Sequence, residues 1–327
     1  NSLGYFYGSI TKLLGFKPHQ HEGKILGLAA YGNPNKAYKE MKKLIKYDTK
    51  SRSFKGLYDK GIYQAQYQNN NLKYLKKKYS REDICAAAQF VLEETVLKCV
   101  KHLSKKKFNI ALAGGVFANV KLNQKIMELN KVKNLFIFPN MGDGGLSVGA
   151  SVLEYFNKTN KIPKKLENYY LGLKYKESEI IKEIKKKNLT FKKFKNLPHE
   201  IAKRISEGKV VAHFNDKMEF GPRALGNRSI LCSAKRKEIN KELNKKLNRT
   251  EFMPFAPVIM EEFLEKYFIF TKGKKNFENM TMTCRCKKIM SINSPAAVHV
   301  DNTARPQIIR KKVHPKFYLS RRKIAVC

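Results

Sequence analysis

A pattern of short apolar strand, glycine-rich turn and helix occurs twice in the first half of the chain. The first strand, Asn109 to Ala113, runs into Gly114-Gly115, and a helix is predicted from about Phe117 to Asn130. A second strand, Asn134 to Phe138, ends at Gly142-Asp143-Gly144-Gly145 before another helix. Such alternation is typical of α/β proteins, which bind ligands beyond the carboxyl ends of their strands. We therefore expect an α/β fold.

The rest of the chain supplies further elements and one predicted junction. Apolar residues recur at helical spacing from Arg81 to Cys99, which predicts an amphipathic helix. The charged, proline-containing stretch Lys161 to Lys165 indicates a domain boundary, giving predicted domains 1–163 and 164–327. Further predictions are helices at 177–187 and 201–207, a strand at 210–214, a basic loop at 272–275 and a last strand at 296–300.

The formal charge of +40 invites a nucleic-acid interpretation. Arginine supplies only 12 of the 67 basic residues, and the lysines are spread over nearly every segment. We interpret the charge as compositional bias and expect no nucleic-acid partner. The cysteines form no CxxC pair, no apolar run approaches about 18 residues, and no leader is visible, so we expect a cytoplasmic protein without a membrane partner.

The two glycine turns carry the first candidate residues. Gly114 and Gly115 let a phosphate or nucleoside approach the backbone, with Asn119 beside them at the start of a helix. The alternative is an ordinary tight turn. Asp143, at the end of the second strand, is a candidate ligand of a metal or Mg-nucleotide, although aspartate is common in glycine turns anyway.

Two charged segments add further candidates. Glu22 and Lys24 adjoin a small-residue run and predict either a polar cleft wall or a surface salt bridge. In the rigid loop from Met218 to Ser229, Arg223, Arg228 and Ser229 have the chemistry to hold a phosphate. The alternative is that the arginines bind backbone carbonyls.

Two later segments complete the set. Phe252 to Pro257 is a stiff apolar wall that either flanks a ligand or packs in the core. At the predicted strand end, His299, Asp301 and Arg305 are expected to line one pocket, with a solvated polar strand end as the alternative.

Taken in order, these segments resemble the O-carbamoyltransferase family of nodulation-factor and antibiotic biosynthesis. The resemblance covers residues 4 to 318, and the block GPRALGNRSIL is its most specific part. The segments that carry it are Glu22 to Ala29, Ala113 to Val116, Gly142 to Gly145, Glu219 to Leu231, Pro254 to Pro257 and Val298 to Gln307.

The resemblance implies an actin/sugar-kinase-like ATPase domain followed by a threonylcarbamoyl-adenylate-synthase-like α/β domain. It implies that carbamoyl phosphate and ATP give carbamoyl-adenylate, and that the carbamoyl group passes to a hydroxyl of a sugar or natural-product acceptor. Asp143 resembles the metal-binding aspartate, with iron as the implied metal. Gly114 and Gly115 would lie against the nucleotide, and Arg223, Arg228, Ser229, His299 and Arg305 would hold phosphates.

The sequence also departs from the family pattern. The upstream histidine pair of the metal site and the C-terminal segment are missing, so we expect a fragment without carbamoyl-transfer activity of its own. Met253 stands where arginine is common, and Asn302 where glycine is usual. Two other functions are left open, a related tRNA-modifying enzyme and a non-catalytic basic nucleic-acid-binding module. Homodimer formation is also left open.

Overall fold

The computed structural model describes residues 2–56, 70–269, 272–319 and 325–326. The long helix α5, Arg81–Leu103, organises the first half of these residues. Ser80 caps its N-terminus by accepting the Asp83 N–H at 3.1 Å, and acidic and basic residues at opposite ends complement the helix dipole. The predicted amphipathic helix is confirmed, since the apolar residues that recur at helical spacing from Ile84 to Val96 are buried.

Four shorter helices and one hairpin pack around α5. The hairpin is antiparallel and pairs Ile45 with Gly56. These elements are α1 (Leu3–Leu13), α2 (Glu22–Ala29), α3 (Pro34–Lys42), β1 (Ile45–Asp48), β2 (Ser53–Gly56) and α4 (Lys73–Lys78).

The doubled strand, glycine turn and helix pattern is present as predicted. Strands β3 (Phe108–Leu112) and β4 (Val132–Ile137) are parallel, with Leu112 opposite Ile137. A 3-10 turn, Gly115–Ala118, and helix α6 (Val120–Met127) connect them. A second 3-10 turn, Asp143–Gly145, leads into α7 (Leu146–Thr159).

The second half contains short helices and small sheets. Their bounds are α8 (Glu177–Lys186), α9 (Leu197–Ser206), β5 (Val211–Phe214), β6 (Arg228–Leu231), α10 (Ile239–Lys246), β7 (Pro257–Met260), α11 (Leu264–Tyr267), β8 (Phe268–Ile269), α12 (Lys274–Glu278), β9 (Cys284–Cys286), α13 (Lys288–Asn293), β10 (Thr303–Ala304), β11 (Gln307–Ile309), α14 (Pro315–Leu319) and β12 (Ala325–Val326). Strands β5 and β6 pair antiparallel, and the remaining strands form two three-stranded sheets, β11–β7–β12 and β10–β9–β8.

Two predictions for this half are wrong in detail. The segment expected as a last strand, 296–300, begins in a 3-10 turn, Pro295–Ala297, and the strands follow it at β10 and β11. Proline at the first position of that turn lacks the N–H that a strand ladder needs. The basic loop expected at 272–275 instead enters helix α12.

One buried apolar cluster joins the two halves of the sequence. Ile84 and Leu122 belong to the same cluster as Phe277 and Ile308. The division into domains 1–163 and 164–327 stays a prediction. The fold is thus a mixed α/β structure, and in the described part no helix has both the length and the apolar character of a membrane span.

Candidate functional site

The arginine-bearing loop of residues 218–229 is held from inside by a carboxylate. Oε1 of buried Glu219 accepts the backbone N–H groups of Leu225 at 2.8 Å, Asn227 at 2.7 Å and Arg228 at 3.1 Å. The Ser229 hydroxyl accepts the Gly226 N–H at 2.9 Å. Because three backbone donors converge on one carboxylate oxygen, the loop has a fixed shape.

Arg228 has a structural position in this loop. Its guanidinium donates to the carbonyl oxygens of Asn215 at 2.6 Å, Asn227 at 2.9 Å and Asp216 at 3.0 Å, and lies 3.6 Å from the centroid of the Phe214 ring. Arg228 therefore binds backbone carbonyls, which was the alternative considered for the arginines of this loop. The structure does not support the expectation that Arg228 holds a phosphate. Ser229 likewise uses its hydroxyl inside the loop.

Arg223, from the same loop, has a different environment. Among the described residues its guanidinium makes one long hydrogen bond, 3.4 Å from Nη2 to the Ala118 carbonyl oxygen. Its buried Nε has no hydrogen-bond partner among the described residues. Burial lowers the pKa of Arg223. A buried guanidinium with unused donors is unfavourable without an anion, so this side chain is available to a ligand.

Arg223 lies in an arginine cluster, which we define as Arg223, Arg249 and Arg305. Burial first, and then the charges of Arg223 and Arg249, lower the pKa of Arg305 well below its ordinary value. The negative charge of Glu251 raises the pKa of Arg305, and the Glu251 carboxylate lies 3.9 Å from the Arg249 guanidinium. The Nε atom of Arg305 is also buried without a partner among the described residues. Three like charges held against one carboxylate give a site that favours an anion.

Lys24 extends the positive charge of the cluster. Its buried ammonium group donates to the Thr250 hydroxyl at 2.7 Å, beside Arg249 and Glu251. Glu22, in contrast, accepts the His19 N–H at 2.6 Å at the start of α2. The polar cleft wall expected of Glu22 and Lys24 stays a prediction.

A pocket of about 150 Å³ brings together segments that are far apart in the sequence. His299 and Asp301 both line it, as predicted, but Arg305 lies in the arginine cluster. Its lining residues are Leu26, Ala29, Ala30, Pro34, Ala86, Gln89, Phe90, Glu93, Lys121, Met253, Thr283, His299, Asp301 and Thr303.

Asp301 is the most strongly held acid of the pocket. It accepts from Lys121 Nζ at 2.6 Å and from the Thr303 hydroxyl at 2.6 Å, and His299 Nδ1 lies 3.5 Å away. Although burial opposes them, these contacts keep the pKa of Asp301 below its usual range. Burial raises the pKa of Glu93, which also lines the pocket.

The first glycine turn contacts the arginine cluster, because Ala118, its last residue, accepts the long hydrogen bond from Arg223. The Gly114 N–H donates to the Met141 carbonyl at 2.6 Å, so the two turns touch, and the positive φ of 107° at Gly114 favours glycine. Asn119 caps α6 and exchanges hydrogen bonds with Gln89, which lines the pocket. Gly114, Gly115 and Asp143 are exposed at the end of the β3–β4 sheet.

The described residues do not complete a metal site at Asp143. No group of three or more His, Cys, Asp or Glu side chains with metal-binding geometry occurs in ranges 2–56, 70–269, 272–319 and 325–326. Iron binding by Asp143 stays a prediction that needs ligands from elsewhere.

Sequence reasoning missed Arg249, Glu251, Glu93 and Lys121. Arg249 carried a signal, since it is one of few arginines and precedes the stiff segment Phe252 to Pro257. Met253, noted as replacing an arginine, lines the pocket. Glu93 and Lys121 lie on helices whose pattern indicates only amphipathic packing, so nothing local distinguished them.

An α/β protein with three arginines gathered around one carboxylate has the electrostatics of an anion-binding protein. The model of the carbamoyltransferase N-terminus matches residues 1–152, and that of the carbamoyltransferase C-terminus matches residues 202–323. The chain belongs to the carbamoyltransferase family.

Individual relatives have modest identity. An uncharacterized protein of Methanocaldococcus jannaschii is 36% identical over 97% of the chain, which covers 53% of it. Nodulation protein NolO of Bradyrhizobium diazoefficiens is 28% identical over 97% of the chain, which covers 59% of it. The 3'-hydroxymethylcephem-O-carbamoyltransferase of Streptomyces clavuligerus is 24% identical over 93% of the chain, which covers 56% of it. The chain spans a little over half the length of these relatives.

Proposed function

We propose that this chain is the greater part of an ATP-dependent O-carbamoyltransferase and that its arginine cluster binds phosphate groups of the carbamoyl donor and of ATP. The observation that carries the proposal is that Arg223 and Arg305 each have a buried Nε without a hydrogen-bond partner among the described residues, while Arg249 and Glu251 act on the charge of Arg305. Family membership supplies the reaction class.

Phosphate is the anion that suits this geometry best. A guanidinium presents planar paired donors that match phosphate oxygens, and the unpartnered Nε atoms of Arg223 and Arg305 are such donors. Bringing an acyl phosphate and ATP together concentrates negative charge, which convergent cations stabilise most where water is excluded.

The proposed reaction forms carbamoyl-adenylate. In the balanced scheme carbamoyl phosphate, ATP and one water give carbamoyl-adenylate, inorganic phosphate and pyrophosphate. An acceptor hydroxyl then attacks the carbamoyl carbon, its proton leaves, and AMP is released. We assign adenylate formation to a threonylcarbamoyl-adenylate-synthase-like second half and transfer to an actin/sugar-kinase-like first half.

The acceptor class follows from the named relatives. One of them is named as a carbamoyltransferase of a hydroxymethyl cephem. We therefore favour a small molecule or glycan with a free hydroxyl over a tRNA acceptor. The full transfer reaction is assigned to a longer protein, because the relatives extend well beyond the matched region.

Replacing the cluster arginines tests the proposal. Binding of carbamoyl phosphate and of inorganic phosphate to the 327-residue chain is measured by isothermal titration calorimetry. Arg223→Met and Arg305→Met are each expected to weaken both ligands by about tenfold or more, because each removes charge-assisted hydrogen bonds.

The matched control is Arg236→Met. Arg236 is 59% exposed and pairs with Glu242 at 3.2 Å, so its loss is expected to leave phosphate binding unchanged. Equal affinities for the parent chain and both cluster variants would refute the phosphate site.

A further inference from the structure

The arginine cluster is accompanied by a loosely paired carboxylate, that of Glu251. Glu251 Oε1 lies 3.9 Å from Arg249 Nη2, which is beyond hydrogen-bond distance. The Glu251 side chain is 29% exposed and that of Arg249 is 47% exposed, so water reaches both groups. Burial lowers the pKa of Arg223 and of Arg305, and the negative charge of Glu251 opposes this effect at both residues. Glu251 is therefore placed to neutralise part of the charge of all three guanidinium groups.

The backbone that carries Glu251 is held in place by two helices. The Asn244 carbonyl oxygen, on α10, accepts the Arg249 N–H at 2.8 Å, and the Asn244 side-chain amide donates to the Glu251 carbonyl oxygen at 3.2 Å. Between these two residues, the Thr250 hydroxyl accepts a hydrogen bond from the Lys24 ammonium group of α2 at 2.7 Å. Because both ends of the segment 249–251 are bound to α10 and its middle to α2, the Glu251 side chain extends from a fixed point near the cluster.

Glu251 neutralises charge without using the donors that an anion needs. The Nε atoms of Arg223 and Arg305 are buried and have no hydrogen-bond partner within the described ranges. The empty cluster therefore keeps these donors available, while one negative charge reduces the repulsion among its arginines. A phosphate can pair with the available donors, but it then shares the site with the Glu251 carboxylate, and the two anions repel each other.

We propose that Glu251 is the internal counter-ion of the arginine cluster, which stabilises the empty site and, by repelling a bound anion, sets how tightly phosphate groups are held. The inference rests on the proposed function, which places phosphate groups at this cluster. The repulsion grows with the charge of the ligand, so Glu251 disfavours pyrophosphate more than inorganic phosphate. It thereby favours release of the more highly charged product of adenylate formation.

Glu251→Gln tests the repulsion, because it removes the charge and keeps the size of the side chain. Binding of inorganic phosphate and of pyrophosphate to the 327-residue chain is measured by isothermal titration calorimetry in metal-free buffer at constant ionic strength. We expect Glu251→Gln to bind phosphate at least about threefold more tightly than the parent chain, with a larger gain for pyrophosphate. Glu251→Asp keeps the charge, and its affinities should stay within about twofold of the parent values.

The matched control is Glu242→Gln, which removes the same charge from a residue that pairs with Arg236, outside the cluster. Both affinities are expected to stay at the parent values. Urea unfolding supplies a second readout. Without phosphate, Glu251→Gln should be less stable than the parent chain, because the cluster loses its counter-ion. Saturating phosphate should narrow the difference in stability, because a ligand stabilises most the folded chain that binds it most tightly.

A purely structural role for Glu251 predicts the opposite sign. If Glu251 only holds Arg249 in place, Glu251→Gln binds phosphate more weakly, and saturating phosphate widens the difference in stability. That result overturns the counter-ion, as does an unchanged affinity, a gain matched by Glu242→Gln, or a Glu251→Gln chain that stays unfolded in phosphate. These outcomes leave the phosphate site standing. Absence of phosphate binding by the parent chain overturns the proposed function and this inference with it.

Discussion

His314 supports the arginine-bearing loop through Tyr170. The Tyr170 hydroxyl donates to the Leu225 carbonyl at 2.8 Å, and His314 Nε2 lies 2.6 Å from the same hydroxyl oxygen. Because that hydroxyl has already given its hydrogen, His314 Nε2 donates to it. Nδ1 of His314 is buried without a partner among the described residues, so a proton there would be poorly stabilised.

This contact predicts a loss of stability in mild acid. Burial, and then Arg310, lower the pKa of His314 to about 4, below its value of about 6.5 in the unfolded chain. The stabilisation that neutral His314 gives to the folded chain is therefore complete above pH about 6.5. It is lost as pH falls toward 4, because the unfolded chain takes up the proton first.

Urea unfolding between pH 7 and 4 measures the effect. We expect the free energy of unfolding of the parent chain to fall by roughly 2 kcal/mol more than that of His314→Gln over this range. His199→Gln, at an exposed position on α9, is the control and should follow the parent. An identical pH dependence in His314→Gln would contradict the assignment.

At the scale of elements, the backbone at the start of α5 is in close contact with the backbone of the turn before α3. A Cβ at Gly32 would lie 2.1 Å from the Glu82 carbonyl oxygen, so no side chain fits there. The approach is fixed by the Asn33 N–H, which donates to Asp83 at 2.8 Å. In α7, by contrast, a Cβ at Gly149 would have no atom within 4 Å.

Alanine substitutions at these two glycines should have opposite effects. Gly32→Ala is expected to destabilise by roughly 2 kcal/mol or more, because backbone must move. Gly149→Ala is expected to stabilise by about 0.5–1 kcal/mol, because alanine loses less conformational entropy in a helix. Denaturant midpoints measure the stability of both variants. A Gly32→Ala chain as stable as the parent would show that the two backbone segments are not in close contact.

At the scale of the whole molecule, the stretch from the second glycine turn to about residue 200 buries little. Helix α7 has no buried residue, and Leu153 and Phe156 are 60% and 42% exposed. A continuous exposed apolar face is a site of association. The charge of +40 opposes contact between copies, and salt screens that repulsion.

We therefore expect the chain to self-associate more strongly as salt rises, which sedimentation velocity measures. Phe156→Glu should reduce this association. Asn157→Glu, with the same charge change on the same helix, should reduce it less. Nucleic-acid binding would instead weaken steeply with salt. Equal effects of the two variants would show that α7 is not the contact surface.

The sequence anticipated the elements with strong local signals. Helix α5 and the two strand, turn and helix units of β3–α6 and β4–α7 were predictable because hydrophobic period and glycine position are properties of neighbouring residues. The strand expected at 296–300 was wrong because an apolar run with a proline before it does not specify its backbone partners.

By itself the sequence determined the α/β order of elements and the likeness to carbamoyltransferases, since both depend on residues close together along the chain. Only the tertiary structure decided that Arg228 binds its own loop while Arg223 and Arg249 lie close enough to Arg305 to act on its charge, and that Glu93 and His299 line one pocket. These groups are distant in sequence, and their convergence depends on how the helices and strands pack together. A motif supplies the side chains, and packing decides whether their charges are already satisfied or left for a ligand.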